Sequence, residues 1–306
     1  MVNVHIDPAF DDGERRRRLF GGDVLIYTQV PEIAAFAAYT REMITELFAP
    51  HDPLTISTVY SPEELADMLI EFKPRWIHDP RSMEHVRTIA RALGCEPGKI
   101  HADVPKLRTA FPQGGLSTGI AYAFQAHRDT WHAAPKAQIN WWMPVWPVAE
   151  NNIMEFYPHG FGAQVENNSE IYNYYEWNEV NRKQAAQHVR SDTREQPKLQ
   201  TEIVRNELKL VVPNAGLILF SGAQLHETVP NTSGLARYSV DFRTVHIDDV
   251  RAGVGAPVAD VACTGTAMRD FKRMTDGASF TEDEVAPYDS ESAEGAAGVK
   301  EFVPTS

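Results

Sequence analysis

The stretch Ala126-His127-Arg128-Asp129-Thr130-Trp131-His132 sets an imidazole and a carboxylate two residues apart. On an extended strand alternate side chains share a face, so His127 and Asp129 would point the same way and take adjacent positions around one metal ion. The third ligand must come from elsewhere in the chain. Well downstream, His226 stands in SGAQLHETVPN, directly after the apolar run GLILF. Two histidines and one carboxylate on a β scaffold, with other coordination positions left open, form the ligand pattern of a non-haem Fe(II) oxygenase. A closed set of four ligands would instead suit structural zinc.

Arg237 and Arg243 follow His226 by 11 and 17 positions. If the turn-forming residues 230–234 bring the chain back antiparallel, one of these arginines points into the cavity that His226 faces. An arginine in an apolar barrel is costly without an anionic partner, and its planar fork suits a carboxylate. That carboxylate could belong to a dicarboxylate co-substrate whose other end chelates the metal. Thr228, two residues after His226, could share it.

These residues sit in a recognisable setting. The triplet HRD (127–129), the run PNAGLILFSGAQLHETVPNTSGLAR (213–237) and the intervening NWWMPVWPVAENNIMEFYPHGF (140–161) resemble the Fe(II)/2-oxoglutarate-dependent oxygenase superfamily, and within it the phytanoyl-CoA-dioxygenase-like branch. The resemblance covers roughly residues 119–247. It implies that His127, Asp129 and His226 bind Fe(II), and that Arg237, assisted by Thr228, pairs with the distal carboxylate of 2-oxoglutarate. It also implies a double-stranded β-helix, or jelly roll, and a reaction that consumes O2, releases succinate and CO2, and hydroxylates a small-molecule substrate. In related halogenases a small residue replaces the carboxylate ligand, so the presence of Asp129 favours hydroxylation. One departure concerns Tyr157-Pro158-His159-Gly160, where many members carry a glycine-rich turn ending in histidine; substrate class does not transfer across it.

The elements around these residues can be read from pattern. Pro31 opens an amphipathic helix with Ile33, Phe36, Tyr39, Ile44 and Phe48 on one side. Ser61-Pro62-Glu63-Glu64 is a helix start, and a third helix runs from near Ser82 to Leu93 and stops at Gly94. From about Gly119 the chain turns β-rich, with Tyr122, Phe124, Trp131, Ile139, Trp141, Met143, Val145 and Val148 in short runs, then strands within 207–222 and 236–247. Helices first and strands second predict an α+β fold with a mainly β core, a jelly roll carrying an N-terminal helical layer. One oxygenase domain over 1–276 is expected, with the helical layer at about 1–118, the core at about 119–250 and an insertion at 163–198. The acidic segment 277–306 is expected to be loosely ordered.

Other residues have quieter readings. Asn140 and Trp142 share a strand face and are candidates to approach the co-substrate. His132, on the strand face opposite Asp129, reads as core or support, His159 as a turn residue, and Arg243 as a structural partner of an acid such as Asp241. Tyr172, Tyr174, Tyr175 and Trp177 could form a lid. Cys95 and Cys263 are too few for a disulfide scaffold, and the run 15–18 of four arginines reads as a solvated face.

Composition narrows the classes further. Twenty-nine Lys and Arg against 42 Asp and Glu give a net charge of −13, which disfavours nucleic acid. No apolar stretch is long enough for a transmembrane segment, and the first residues lack signal-peptide order, so a cytoplasmic protein is expected. No basic cluster near the motifs would hold the phosphates of an acyl-CoA. Two other readings share the fold: a cupin-like metal-dependent dioxygenase or isomerase without 2-oxoglutarate, and a non-catalytic small-molecule-binding jelly roll.

Overall fold

The structure, a computed structural model, describes residues 2–112, 125–181, 195–202 and 207–289. Eleven strands are present among them: β1 Val4–Ile6, β2 Val24–Tyr27, β3 Ile100–Ala102, β4 Lys106–Ala110, β5 Ile139–Pro144, β6 Met154–Phe156, β7 Leu208–Lys209, β8 Leu217–Ser221, β9 His226–Thr228, β10 Arg237–His246 and β11 Lys272–Arg273. The larger sheet runs β1-β2-β8-β5-β10-β3-β11, with β4 also paired to β10. The smaller runs β7-β6-β9, and an antiparallel bridge between His127 and His226 extends it past β9. From β4 onward the chain crosses repeatedly between the sheets, the winding of a jelly roll. The expected strand residues Tyr122 and Phe124 lie outside the described residues.

Strand parity explains why the core sequence is so aromatic. β5 is buried along its whole length. Trp141 and Met143 join Leu219, Val240 and Phe242 in the core that faces the helices. Trp142 joins Ile218, Phe220, Met154 and Phe156 in a second cluster between the two sheets, where the Phe156 and Phe220 rings meet edge-on at 5.0 Å. A strand covered on both faces cannot alternate apolar with polar. Asn140 is the exception on the inner face, and it has a specific partner there.

Four helices occupy the first third: α1 Asp12–Phe20, α2 Pro31–Phe48, α3 Pro62–His78 and α4 Pro80–Ala92. All five residues of the predicted α2 stripe are buried. Ser61 and Glu64 form a reciprocal capping box at the start of α3. α4 begins at Pro80, capped by Asp79, slightly earlier than Ser82. Phe36 of α2 stacks on Trp76 of α3 at 5.7 Å and on His85 of α4 at 5.0 Å, tying the three together.

Two expectations are corrected by burial. The arginine run is not a uniform solvated face. Arg15 is 2% exposed, donating to Asp12, to the Leu93 carbonyl and to Cys95 Sγ, while Arg16 reaches Asp249. Only one turn face of α1 looks at water, so a run of four like residues must send one inward. Residues 277–289, assigned to a loose tail, instead pack. Phe280 stacks on His101 of β3 at 3.9 Å, and the Tyr288 hydroxyl donates to the Val250 carbonyl at 2.7 Å. Residues 290–306 lie outside the described residues. No helix among the described residues is long and apolar enough to cross a membrane.

Removing Arg15 would leave Asp12 partly buried without its nearest partner. Arg15→Ala is expected to cost about 3 kcal/mol, the scale for breaking a buried ion pair, read as a lower denaturant midpoint. Arg17→Ala, at a side chain 71% exposed, should leave the midpoint unchanged.

Candidate metal centre

His127 and His226 face each other as a hydrogen-bonded antiparallel pair. Each backbone N–H donates to the other's carbonyl, both at 3.0 Å, and the two rings lie 4.5 Å apart. The rings are fixed in the same way. His127 Nδ1 lies 2.8 Å from the Gln125 carbonyl, and His226 Nδ1 lies 2.9 Å from the Gln224 carbonyl. A carbonyl only accepts, so Nδ1 carries the proton in both rings and Nε2 keeps its lone pair. Ring N–H groups anchored on carbonyls are the usual support of metal-binding imidazoles.

Asp129 completes the set by a route that strand alternation does not describe. His127 makes an isolated β-bridge, and Asp129–His132 is a single 3-10 turn. The Asp129 N–H donates to the Gly222 carbonyl at 2.9 Å, and Gly222 donates in turn to the Gln138 carbonyl at 3.0 Å. A Cβ on Gly222 would stand 3.1 Å from Gln138 Nε2 and 3.5 Å from the Asp129 Cβ, so close approach favours glycine there. Gln138 and Asn140 both donate to Asp129 Oδ2, at 2.9 and 2.6 Å. Oδ1 lies 3.8 Å from His127 Nε2. One donor atom from each of His127, Asp129 and His226 lies within 4.8 Å of the others, and the three could hold a metal ion.

The protonation states suit that role. Burial alone would raise the Asp129 carboxyl. The neighbouring His226, Arg243 and His127, with the Asn140 amide, outweigh it and hold the group well below the usual carboxylate range. Burial, with His226 and His132 alongside, pushes His127 down, so its imidazole is neutral. An ionised carboxylate and a neutral imidazole are the forms that ligate.

Between the two candidate ligands, Arg128 turns the other way and braces the site. It donates to the carbonyls of Ala223, Gly160 and Ala163 at 2.6, 2.7 and 2.9 Å, and pairs with Asp260 at 3.1 Å. Trp131 Nε1 donates to the other Asp260 oxygen at 3.1 Å. The ligand segment is thus tied to the turn before His226 and to the turn after β6. Sequence reading passed over Arg128, Gln138 and Asp260, since no spacing rule links them.

The remaining candidates distribute as follows. The turn at 230–234 does not form a hairpin. It carries the chain from β9 in the smaller sheet to β10 in the larger, and Arg237 lies on the β10 face that Trp142 shares. Arg237 is buried, donates to the Asn152 carbonyl at 3.3 Å and lies 5.9 Å from the Trp142 ring. Its Nε is buried without a partner, and it makes no ion pair with a carboxylate among the described residues. Burial pulls it down to about 10. Thr228 is buried opposite Met154 in the register of β9 and β6, next to the segment that Arg237 reaches. Ser239, two residues beyond Arg237, has a buried hydroxyl with no partner; its place on the same strand face was the signal available in the sequence. Asn140 does not wait for a co-substrate, because its amide holds Asp129.

His132 lies beside His127, with ring centroids 5.5 Å apart, because the 3-10 turn brings it round. It contacts Tyr172 at 5.1 Å, which meets Trp177 at 5.9 Å. Part of the insertion therefore walls the site. His159 is exposed. Arg243 pairs chiefly with Asp103, at 3.1 Å, and more distantly with Asp241, at 3.8 Å. Cys95 and Cys263 are buried, and burial raises both thiols to about 12.

No protein-family model and no curated protein matches this sequence. Solved structures similar to it include EvdO2 from Micromonospora carbonacea var. aurantiaca, at 10% identity and a TM-score of 0.45 over 79% of this chain and 93% of that one. SnoN, an epimerase solved with Fe3+, alpha ketoglutarate and nogalamycin RO, gives 13% identity and 0.39 over 85% and 98%. The non-heme monooxygenase ThoJ gives 10% and 0.36 over 72% and 71%.

The amide pair on Asp129 makes a specific demand. Asn140→Leu is expected to weaken binding of a divalent metal by about 10- to 100-fold, the usual cost of losing a group that orients a ligand. Anaerobic metal titration measures this, with an unchanged circular dichroism spectrum showing that the fold survives.

Proposed function

We propose that the chain is an Fe(II)- and 2-oxoglutarate-dependent oxygenase with the double-stranded β-helix of the phytanoyl-CoA-dioxygenase-like branch. In this reading it is a single unit that includes the packed residues 277–289, backed by its N-terminal helical layer and working in the cytoplasm. The overall reaction adds one oxygen atom of O2 to a substrate C–H bond as a hydroxyl. The other enters succinate as 2-oxoglutarate loses CO2. The observation that carries this reading is the pairing of two features across one interior. His127 and His226 offer imidazole nitrogens and Asp129 an anionic oxygen, and Arg237 is a buried cation with no carboxylate partner among the described residues.

When bound, iron and 2-oxoglutarate supply the oxidising chemistry with O2. The chain's own part is to bind and orient. His127 and His226 present Nε2 lone pairs from one rigid backbone pair. Asp129 presents Oδ1 while Gln138 and Asn140 occupy Oδ2. Arg237 is suited to the distal carboxylate of the co-substrate, which would satisfy its Nε and offset its desolvation, with the Thr228 and Ser239 hydroxyls nearby as donors. Trp142 covers the guanidinium and keeps water from that end of the cavity.

The test is anaerobic addition of Fe(II) and 2-oxoglutarate, watching for the weak visible charge-transfer band of the chelate. Wild type should give the band. Arg237→Gln should bind Fe(II) undiminished and lose the band at the same 2-oxoglutarate concentration, and His226→Ala should bind no iron. Absence of the band in wild type, or its persistence in Arg237→Gln, overturns the reading. A cupin-like enzyme that does without 2-oxoglutarate would give the first result.

A further inference from the structure

The carbonyls that hold the two candidate histidines are alike, but the residues that bear them are not. Gln125, behind His127, is exposed. Gln224, behind His226, is 0% exposed. Its side-chain amide reaches far along the chain, where the nitrogen donates to the Gly22 carbonyl. A carbonyl only accepts, so the nitrogen must be the atom that faces it. The amide oxygen is then turned to a place where it finds no donor among the described residues. A buried amide with its oxygen unused is a poor way to fill space, because its desolvation costs free energy that an apolar side chain of the same length avoids. What Gln224 has over a methionine there is the one bond to Gly22.

Both ends of that bond are informative. β2 pairs antiparallel with β8, Leu25 opposite Leu219 and Ile26 opposite Ile218. Continued past the ladder, this register sets Gly22 abreast of Gly222, in the turn that leads to His226. The Gln224 N–H bonds back to the Ser221 carbonyl at 2.9 Å, within the turn itself, so the side chain makes the bond from residue 224 to another element. The far end is firm. Gly22 and Asp23 close α1 through N–H bonds to the Leu19 and Arg18 carbonyls, both at 3.0 Å. Gly22 has a φ of +95°, and a Cβ there would stand 2.5 Å from Phe161 Cδ1, so the ring packs where only glycine leaves space. Phe161 follows Gly160, whose carbonyl Arg128 holds.

We infer that Gln224 is a positioning residue for His226. By anchoring residue 224 on the turn between α1 and β2, it keeps the 224 carbonyl against Nδ1 and leaves Nε2 free to serve the candidate metal centre. The inference rests on the metal-centre reading for what Nε2 binds. It gives the turn between α1 and β2, which supplies no ligand, a share in aiming one.

The experiment reads the ring tautomer without any metal. In metal-free protein with isotope-labelled histidine, imidazole nitrogen shifts in NMR spectra report which ring atom carries the proton, and His226→Ala identifies the signal. Wild type should show His226 protonated at Nδ1. Gln224→Met keeps the length and removes the donor. It should move part of the His226 population to the Nε2–H form that an unrestrained imidazole favours. It should also weaken Fe(II) binding about tenfold or more, the scale for losing a group that orients a ligand. Gln125→Met alters an exposed side chain and leaves its carbonyl in place, so both readouts should match wild type. Gln224→Leu takes the place of Gln224→Met if that variant does not fold. The charge-transfer band reports separately on the proposed function: if wild type never forms it, that reading fails while the tautomer still decides this one. An unchanged His226 tautomer or undiminished Fe(II) affinity in the folded Gln224 variant, or equal effects in Gln125→Met, would overturn the inference. Loss of the fold in both Gln224 variants would overturn it too, by showing a residue that holds the chain together rather than one that aims a ligand.

Discussion

Two backbone hydrogen bonds, between residues 127 and 226, set the terms for everything around them. They join segments far apart in the chain at the one point where both carry histidine. A narrow antiparallel pair leaves the side chains of opposed residues side by side. The identical Nδ1 contacts to the carbonyls at 125 and 224 then fix both rings from behind. Little freedom remains for either imidazole, so the donor atoms are held in place before anything binds.

Such a centre has to be built from polar groups in a place that penalises them, and the surrounding structure is arranged to meet that cost. Arg128 takes three carbonyls and Asp260, so the loops framing the ligands are satisfied without water. Asp129 is ionised in the interior because imidazoles, an amide pair and Arg243 surround it. The inner face of the larger sheet is accordingly divided. Its β2 and β8 side is apolar and packs on β6, while its β10 and β4 side carries paired charges.

Much of this could be read from the chain itself. Helix starts at Pro31 and Ser61 were legible because capping is local, and the apolar stripe of α2 because packing follows the helical period. The grouping of His127, Asp129 and His226 was legible because few residue types can hold a metal. What escaped reading depends on contacts distant in sequence. Strand alternation alone would send His132 away from the centre, yet the 3-10 turn after Arg128 brings it against His127. Asn140 was legible as an inward side chain but not as the partner of Asp129. Arg15 looked solvated because its neighbours are charged, and only the docking of α1 against residues 93–95 shows otherwise.

The insertion and the segment 264–289 brace one another. Tyr174 donates to Asp270, and Tyr175 to Asp289, which Arg269 also holds. Asn173 and the Tyr174 backbone are fastened to Thr264. The aromatic wall beside His132 is therefore secured by residues that follow every candidate ligand in the sequence. A shortened protein ending at residue 276 would retain His127, Asp129 and His226 and still lose the Asp289 partner of Tyr175 and Arg269, so the donor set and the aromatic wall beside it have different C-terminal boundaries.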